Sequence, residues 1–499
     1  MRNVFEALAR NASSGPKRIV ASDPVSSLTA PELAARVMTL ARDLEGGARV
    51  VGLYGGNSVD WMVGLLGALL AGKTVVPLAT FFSTGQLAHV LDNAGVGEVI
   101  APNNDFDSAQ ALGRPVRLVP TSGSAHEWPS PQAFGSLVIY TSGSTGSPKG
   151  VVIGPDQLDW SAAALAEATS ACTRDFHLSV LPLPLLLETI CAILVPTLVG
   201  ASTCFETQLT QSFATGSVRG IAAAFEARRP TTTVLVPQLL AQWAAELTAT
   251  NAAAPTSLRF VAVGGAPVPE ALSRTARDLG IPAFEGYGLS ECSSVVAVNT
   301  PGAYKPGTVG RPLAGLTVSI EDGEIVVDGP PVMSGYLAKC PVFGRWRTGD
   351  LGSLDADGYL TVHGRKDNLI VTALGRNVSP EWIETMLLGD PRIALCCVTG
   401  HGREHLTALL VPSRQGGRWF ATASRTDVLQ MLTKACGEAP SYAVPKDFVL
   451  ASAEQIKSFD LLTANGRFRR TEVLKAIEAL RNSNSLSAPT ILLQRETSV

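Results

Sequence analysis

The stretch that decides the fold is residues 137–153, LVIYTSGSTGSPKGVVI, in which two apolar runs flank a loop rich in glycine, serine and threonine. The runs at 137–140 and 151–153 are typical of short β-strands. Glycines let an anion approach the backbone, hydroxyls add donors, and Lys149 adds a point charge that suits phosphate oxygens. The Walker A spacing is absent, and a flexible linker has a similar composition. These residues predict a phosphate loop between two strands, with a linker as the alternative.

Length and composition indicate a large folded protein with more than one domain. At 499 residues the chain is too long for one ordinary core, and its 46% hydrophobic content argues against global disorder. The net charge of −3, without a basic stripe, predicts no nucleic-acid partner. The eight cysteines form no CxxC pair, the six histidines form no ligand cluster, and the N-terminus has no signal-peptide pattern. We therefore expect reduced thiols and a cytoplasmic protein.

One apolar segment, residues 178–203, approaches the length of a membrane span. It contains three prolines and Glu188, which are costly in a single helix exposed to lipid. The segment therefore predicts a buried strand–turn–helix and no integral membrane span, and it leaves peripheral membrane contact open.

Strand and helix patterns alternate through most of the chain, starting with a helix predicted over 28–46. Apolar strands separated by helices predict parallel sheets covered on both faces, in two sheet-based subdomains within the first ~360 residues. Short strands and a hairpin turn at 355–358 follow, and after Ile370 the pattern becomes a small α+β unit whose last helix covers 468–484. The fold class is therefore α/β, with a large N-terminal domain (1–365) and a smaller α+β C-terminal domain (366–499).

As a whole string, TSGSTGSPKG (141–150) closely resembles the signature loop of the adenylate-forming superfamily. That superfamily includes acyl-CoA synthetases, the adenylation domains of peptide synthetases and firefly-type luciferases. Further segments resemble its other motifs in the expected order: GGAP (264–267), GYGLSE (286–291), TGD (348–350), GRKD (364–367), GRNVSP (375–380) and LTANGRFRR (462–470). The resemblance covers nearly the whole chain and is strongest to AMP-forming acyl-CoA synthetases.

The residues of these motifs also suit nucleotide chemistry, although each motif alone is an ordinary polar turn. Small residues at 264–267 let a flat ring or a phosphate approach the backbone. Tyr287 can stack on a base, and Glu291 can hold Mg²⁺, a hard cation that prefers oxygen ligands. Asp350 can accept both ribose hydroxyls, and Arg365 can donate to the ribose or a phosphate.

The resemblance implies a role for each matching residue. It implies an ATP site formed by Thr141, Ser142, Gly143, Ser144, Thr145, Gly146, Gly265, Ala266, Pro267, Gly286, Tyr287, Gly288, Ser290, Asp350 and Arg365. It implies catalytic roles for Lys149, Thr145, Glu291 and Arg467, and Mg²⁺ binding by Glu291 and Thr141. Asp367 matches the hinge about which the small, mobile domain swings, and Gly375 and Asn377 match the loop that meets the thiol acceptor.

Two positions depart from the family pattern. Leu185 falls where many relatives carry a histidine or an aromatic residue, which predicts a different or wholly apolar gate to the acyl pocket. Arg467 stands where the family's lysine bridges the substrate carboxylate and the phosphate, and arginine keeps the charge but is longer, planar and forked. Arg467 either does the lysine's work in a resized site or slows adenylation. The alternative is a surface arginine beside Arg469 and Arg470.

The resemblance implies an AMP-forming acid–thiol ligase that uses ATP, Mg²⁺ and coenzyme A. The apolar segment around 182–197 favours a fatty or aliphatic acid. Coenzyme A is favoured because no long insertion separates Asp367 from Pro380. Two alternatives stay open: an enzyme that loads an aryl, amino or fatty acid onto a carrier protein, and a degenerate relative that binds nucleotide with weak turnover.

Overall fold

The computed structural model describes residues 1–14, 18–124, 133–141, 149–214, 220–437, 439–463 and 468–482. Its first part, up to residue 118, alternates helices and strands as the apolar pattern predicts. The elements are α1 (Arg2–Ser14), β1 (Ile19–Ser22), β2 (Ser27–Thr29), α2 (Ala30–Asp43), β3 (Val50–Tyr54), α3 (Val59–Leu70), β4 (Thr74–Leu78), α4 (Thr84–Ala94), β5 (Glu98–Ala101), α5 (Phe106–Gln110) and β6 (Val116–Leu118).

The predicted helix at 28–46 begins two residues later, at Ala30, and its start has a clear cause. Thr29 forms a capping box with Glu32: its hydroxyl accepts from the Glu32 N–H, and the Glu32 carboxylate accepts from the Thr29 N–H. Residues 27–29 pair with β1 instead of extending the helix.

The middle of the chain continues the same alternation. Its elements are β7 (Ser136–Thr141), β8 (Lys149–Ile153), α6 (Pro155–Ala168), β9 (Phe176–Ser179), α7 (Leu186–Thr189), a π-helical turn (Ile190–Leu194), α8 (Val195–Val199), β10 (Ser202–Phe205), α9 (Thr207–Ala214), α10 (Ile221–Arg228), β11 (Thr232–Leu235), α11 (Pro237–Thr250), β12 (Phe260–Val263), α12 (Glu270–Asp278) and β13 (Ala283–Tyr287). The two strands predicted around the phosphate loop are β7 and β8, and they pair antiparallel.

The apolar segment 178–203 is the buried strand–turn–helix that its sequence predicts. Pro196 lies within the helical stretch 186–199, where it removes a backbone donor and crowds the carbonyl four residues earlier. The π-helical turn directly before it accommodates the ring, and the Ala192 carbonyl accepts instead from the Thr203 hydroxyl at 2.8 Å. Among the described helices, none is long and apolar enough to cross a membrane.

Shorter strands build the rest of the large domain: β14 (Ala297–Val298), β15 (Arg311–Pro312), β16 (Thr317–Glu321), β17 (Glu324–Asp328), β18 (Gly335–Tyr336), β19 (Arg345–Leu354) and β20 (Leu360–Arg365). The C-terminal part contains β21 (Ile370–Val371), β22 (Asn377–Val378), α13 (Pro380–Leu388), β23 (Ile393–Thr399), β24 (Thr407–Pro412), α14 (Gly416–Thr422), α15 (Arg425–Ala435), β25 (Asp447–Leu450), α16 (Ala453–Ser458) and α17 (Arg470–Asn482). Within the described ranges, 3₁₀ turns occur at Asn103–Asp105, Ser290–Cys292 and Lys366–Asn368.

Two large sheets form the frame of the N-terminal domain, as predicted. The nine-stranded sheet has the order β15-β14-β13-β12-β11-β9-β10-β1-β2, and the seven-stranded sheet has the order β18-β8-β7-β4-β3-β5-β6. Their central strands are parallel and apolar because helices cover both faces. A four-stranded sheet (β16-β17-β19-β20), a two-stranded sheet (β21-β22) and a C-terminal three-stranded sheet (β23-β24-β25) complete the mixed α/β architecture of the described residues.

Asn57 joins the two large sheets. This residue is 2% exposed and follows β3 of the seven-stranded sheet. Its amide donates to the Leu181 carbonyl (2.7 Å) and the Ser179 hydroxyl (3.2 Å), and its carbonyl oxygen accepts from the Leu183 N–H (2.9 Å). These bonds fix the loop after β9, which leads through Leu185 into α7, the helix that carries Glu188.

Candidate functional site

Two of the predicted nucleotide motifs lie at the carboxyl ends of neighbouring parallel strands. Gly265 to Pro267 follow β12, and Gly286 to Gly288 span the end of β13, which pairs with β12. In open α/β sheets this edge is where ligands bind. Gly265 has φ +82°, a conformation that favours glycine. A Cβ on Gly288 would lie 1.5 Å from the Ser294 carbonyl oxygen, so packing within the chain already explains that glycine.

Tyr287, Asp350 and Arg365 form one hydrogen-bonded cluster. The Tyr287 hydroxyl donates to Asp350 Oδ2 at 2.6 Å, and Arg365 Nη1 donates to Asp350 Oδ1 at 3.1 Å. Asp350 lies on β19 directly opposite Arg365 on β20, so the hairpin around the predicted 355–358 turn brings the two motifs together. Burial, with the Asp350 charge as a second cause, raises the pKa of Tyr287 well above its usual value. Tyr287 is therefore a neutral donor at any physiological pH.

Glu291 lies beside an aromatic residue that the sequence analysis did not identify. The Tyr336 hydroxyl donates to Glu291 Oε1 at 2.8 Å, and Lys149 Nζ lies 5.9 Å from the centroid of the Tyr336 ring. Burial and the Glu291 carboxylate raise the pKa of Tyr336, so its hydroxyl keeps its proton. No spacing in the sequence marks Tyr336, because its position depends on the pairing of β18 with β8.

One cavity of about 3700 Å³ has most of the described site residues in its wall. Those residues are Thr141, Lys149, Gly265, Ala266, Pro267, Gly286, Tyr287, Gly288, Ser290, Glu291, Asp350, Arg365 and Asp367. Ser142, Gly143, Ser144, Thr145, Gly146 and Arg467 lie outside the described residues. Gly375 and Asn377 are described but do not line this cavity. Their loop is exposed, with Leu374 at its tip 72% accessible to solvent.

Another part of the cavity wall is formed by the segment that contains Leu185. Leu185 and Leu187 are half-buried, line the cavity, and pack against the core of the nine-stranded sheet. Leu187 reaches to 3.9 Å from where a Cβ on Gly264 would lie. The wall next to the nucleotide motifs is therefore apolar here, as the leucine at 185 predicts.

A half-buried ion-pair cluster in the C-terminal domain connects three of the predicted segments. Arg470, at the start of α17, donates to both oxygens of Glu384, each at 2.7 Å, and to Glu381 Oε1 at 3.2 Å. Glu381 also accepts from the Asn368 amide at 2.5 Å, one residue after the expected hinge. Burial raises the pKa of Glu384, and Arg470 opposes that rise. Arg470 is thus a half-buried partner of two carboxylates, unlike Arg469, which makes an exposed pair with Asp460.

The described residues contain no group of three or more His, Cys, Asp or Glu side chains that could hold a metal ion. A cation at Glu291 would therefore take its remaining ligands from substrate oxygens and water, which is typical of Mg²⁺ bound beside nucleotide phosphates. The Tyr336 bond uses one of the roughly four lone-pair sites of the Glu291 carboxylate, so the group still fits such a cation.

Two protein-family models match this chain and together cover most of it. The model of the AMP-binding enzyme family matches residues 8–337, and that of the AMP-binding enzyme C-terminal domain matches residues 367–480. A feruloyl-CoA synthase from Amycolatopsis sp is 30% identical over 475 residues, which cover 88% of this chain and 92% of the relative. A long-chain-fatty-acid–CoA ligase of Mycobacterium bovis is 42% identical over 159 residues, covering 30% of this chain and 26% of that protein.

A solved structure confirms the mixed α/β fold with a large N-terminal and a separate C-terminal domain. The o-succinylbenzoate coenzyme A synthetase from Bacillus subtilis, in complex with ATP and magnesium ion, superposes with a TM-score of 0.75 at 24% identity. The match covers 93% of this chain and 98% of that protein. The chain belongs to the AMP-binding enzyme family and is a ligase of the AMP-forming acyl-CoA synthetase type.

Proposed function

We propose that this enzyme joins a carboxylic acid to the thiol of coenzyme A in two half-reactions. In the first, a carboxylate oxygen attacks the α-phosphorus of ATP, and pyrophosphate leaves. In the second, the thiol sulfur attacks the acyl carbonyl carbon, and AMP leaves with the original carboxylate oxygen. The observation that carries the proposal is the shared cavity wall, in which the Tyr287–Asp350–Arg365 cluster lies with Glu291 and Lys149.

The nucleotide roles follow from the donors and acceptors in that wall. Asp350 is held by Tyr287 and Arg365, so its carboxylate is oriented before it accepts the ribose hydroxyls. Lys149, with the loop residues Thr141 to Gly146, neutralises phosphate charge. Mg²⁺, held by Glu291 and Thr141, would supply charge stabilisation to the phosphate oxygens when bound.

The C-terminal domain supplies the remaining roles. Arg467 would contact the carboxylate and the α-phosphate during adenylation. Arg470, three residues further along the chain, is a positioning residue because its ion pair with Glu384 anchors the start of α17. We place the domain boundary between 365 and 366, with Asp367 as the hinge. Rotation about it would bring Gly375 and Asn377 to the cavity for thiol attack.

All eight cysteines lie in described ranges and are free thiols, which supports a cytoplasmic location.

For the acid we propose an apolar chain, aliphatic or aryl-aliphatic. The half-buried leucines at 185 and 187 favour an apolar acid next to the nucleotide motifs. The named relatives act on feruloyl, long-chain fatty and o-succinylbenzoyl substrates, so both classes belong in the assay.

The experiment measures acid-dependent pyrophosphate release and thioester formation across fatty, aryl and amino acids. Lys149→Met is expected to lower kcat/KM for ATP by about 100-fold, the effect of removing one preorganised charge-stabilising donor. Lys339→Met is the matched control, because its exposed ammonium lies at a similar distance, 5.7 Å, from the same Tyr336 ring. Equal losses in both variants would contradict the role of Lys149. If thioester forms only on a carrier protein, the acceptor is the carrier protein's thiol and not coenzyme A.

A further inference from the structure

The described residues of the C-terminal motif line the large cavity, whereas those of the thiol-acceptor loop do not. Leu462, Thr463 and Phe468 lie in the cavity wall. Gly375 and Asn377 lie outside it. In the proposed reaction the first segment serves adenylation and the second serves thiol attack. The small domain therefore has the orientation that the adenylation step requires.

The side chains on either side of the expected hinge, Asp367, are tied to different domains. Lys366 Nζ donates to Glu324 Oε2 at 3.2 Å, and Glu324 is a 5% exposed residue of β17 in the four-stranded sheet. Asn368 Nδ2 donates to Glu381 Oε1 at 2.5 Å, and Glu381 lies in the first turn of α13. A rotation about Asp367 leaves both bonds intact, because each bond joins two groups on the same side of the hinge.

A third contact near the hinge crosses from one domain to the other. Gly364 lies on β20 next to Arg365 and has φ +129°, a conformation that favours glycine. A Cβ at this position would overlap the Ser379 hydroxyl oxygen and would lie 2.9 Å from Glu381 Oε2. Ser379 and Glu381 of the small domain therefore pack directly on the backbone of the strand that carries Arg365.

Glu381 connects this contact to the C-terminal motif. Its Oε2 accepts from the Ser379 hydroxyl at 3.2 Å, and its Oε1 accepts from Arg470 Nη2 at 3.2 Å. Arg470 is the last residue of the motif at 462–470. The Glu381 carboxylate thus joins the hinge turn, the start of α13 and the start of α17, so the position of this group on Gly364 sets the position of the motif.

We propose that Ser379 and Glu381 are positioning residues for adenylation. Packed on Gly364, they hold the small domain in the orientation that directs the C-terminal motif to the cavity, and they leave Gly364 when the domain rotates for thiol attack. The proposal rests on the proposed ligase function and adds the contact that selects between its two half-reactions. A contact made in only one of two orientations shifts the equilibrium toward that orientation. Its loss should therefore weaken adenylation and spare thiol transfer.

The test measures the two half-reactions separately in the full chain. Adenylation is followed as acid-dependent exchange of pyrophosphate with ATP, and thiol transfer as thioester formation from the synthetic acyl-adenylate and coenzyme A. The acid is ferulic or decanoic acid, whichever the wild type turns over faster. Gly364→Ala places a methyl group against Ser379 and is expected to lower exchange by about 100-fold, the effect of a displacement of about 1 Å, and thiol transfer by less than about threefold.

Three further variants separate the contact from backbone strain. Adding Ser379→Ala to Gly364→Ala removes the oxygen that the new methyl group would overlap, so about tenfold of the lost exchange should return. Glu381→Ala removes the contact from the other side without any overlap and should also lower exchange more than thiol transfer. Gly323→Ala is the matched control, because Gly323 has φ +76° but the nearest atom to a Cβ there is 3.9 Å away. Its ratio of the two rates is expected to match the wild type.

Two results would overturn the inference and leave the ligase function standing. The first is a loss of both rates in equal proportion, or of neither, in Gly364→Ala and Glu381→Ala. The second is a failure of Ser379→Ala to restore any exchange to Gly364→Ala. If the wild type releases no pyrophosphate with any acid of the panel, the function falls together with the inference.

Discussion

Replacing Arg470 by methionine is expected to destabilise the C-terminal domain far more than the same change at the neighbouring Arg469. Arg470 donates to both oxygens of Glu384, whose side chain is only 12% exposed. Without the guanidinium, that carboxylate keeps the Val398 N–H, a neutral donor at 2.7 Å from Glu384 Oε1. Breaking a buried pair in this way costs about 3–5 kcal/mol, and we expect the lower end because Arg470 itself is one quarter exposed.

Arg469 provides the comparison because it adjoins Arg470 and also pairs with a carboxylate. Its partner Asp460 is 73% exposed, so Arg469→Met should cost less than about 1 kcal/mol. Native-state hydrogen exchange, followed by mass spectrometry on peptides from α13 and α17 in the full chain, measures both. A loss of about 3 kcal/mol corresponds to roughly 100-fold faster exchange. Equal exchange rates in the two variants would refute the reasoning, and Glu384→Met added to Arg470→Met should recover part of the loss.

Three further predictions concern individual polar side chains. Between pH 6.5 and 8, Glu188 is protonated in the folded state, where burial raises its pKa to about 8, but not in the unfolded state. The free energy of unfolding should therefore fall as the pH rises, by up to about 1.4 kcal/mol per pH unit. Urea titrations should show a weaker pH dependence in Glu188→Gln. Below pH 6.5, the pKa of His177, which burial lowers to about 4, should make the free energy of unfolding fall as the pH falls, and this effect should be visible in Glu188→Gln. Identical pH profiles of stability in the wild type and Glu188→Gln would contradict this prediction. Tyr336→Phe removes the donor to Glu291 and should raise the Mg²⁺ concentration needed for half-maximal pyrophosphate release about tenfold; an unchanged requirement would argue against Glu291 as a ligand. Asn57→Ala loses three buried bonds and should cost about 3 kcal/mol by urea denaturation, and a loss below about 1 kcal/mol would show that other contacts hold the 181–183 loop.

Local patterns predicted most of the frame. Strands β3 and β4 are continuous apolar runs because helices cover both faces of their sheet, and that pattern is readable in sequence. The prolines of 178–203 excluded a membrane helix, and the structure accommodates Pro196 with a π-helical turn. Helix α1 was not predicted: the Asp159 carboxylate accepts from the Asn3 and Val4 N–H groups at its first turn, and this partner lies far away in sequence.

Site residues that lie within the family motifs could be predicted from the sequence. Site residues that reach their position through pairing with distant parts of the chain could not. The TGD and GRKD motifs meet because one hairpin joins them, and a turn signal marks that hairpin. Tyr336 reaches Glu291 only through the pairing of β18 with β8. Arg470 has no local sign of burial, since its partners lie on α13 in another part of the chain. Such contacts depend on tertiary packing, which no spacing in the sequence records.

The central claim is that the enzyme activates its acid as an acyl-adenylate, and oxygen labelling tests it most directly. The wild-type enzyme is given an acid whose carboxylate carries ¹⁸O, together with ATP, Mg²⁺ and coenzyme A, and the products are separated and weighed by mass spectrometry. We predict one labelled oxygen in AMP for each thioester formed, and unlabelled pyrophosphate. Label in inorganic phosphate with ADP as the nucleotide product, or thioester formed without labelled AMP, would contradict the account.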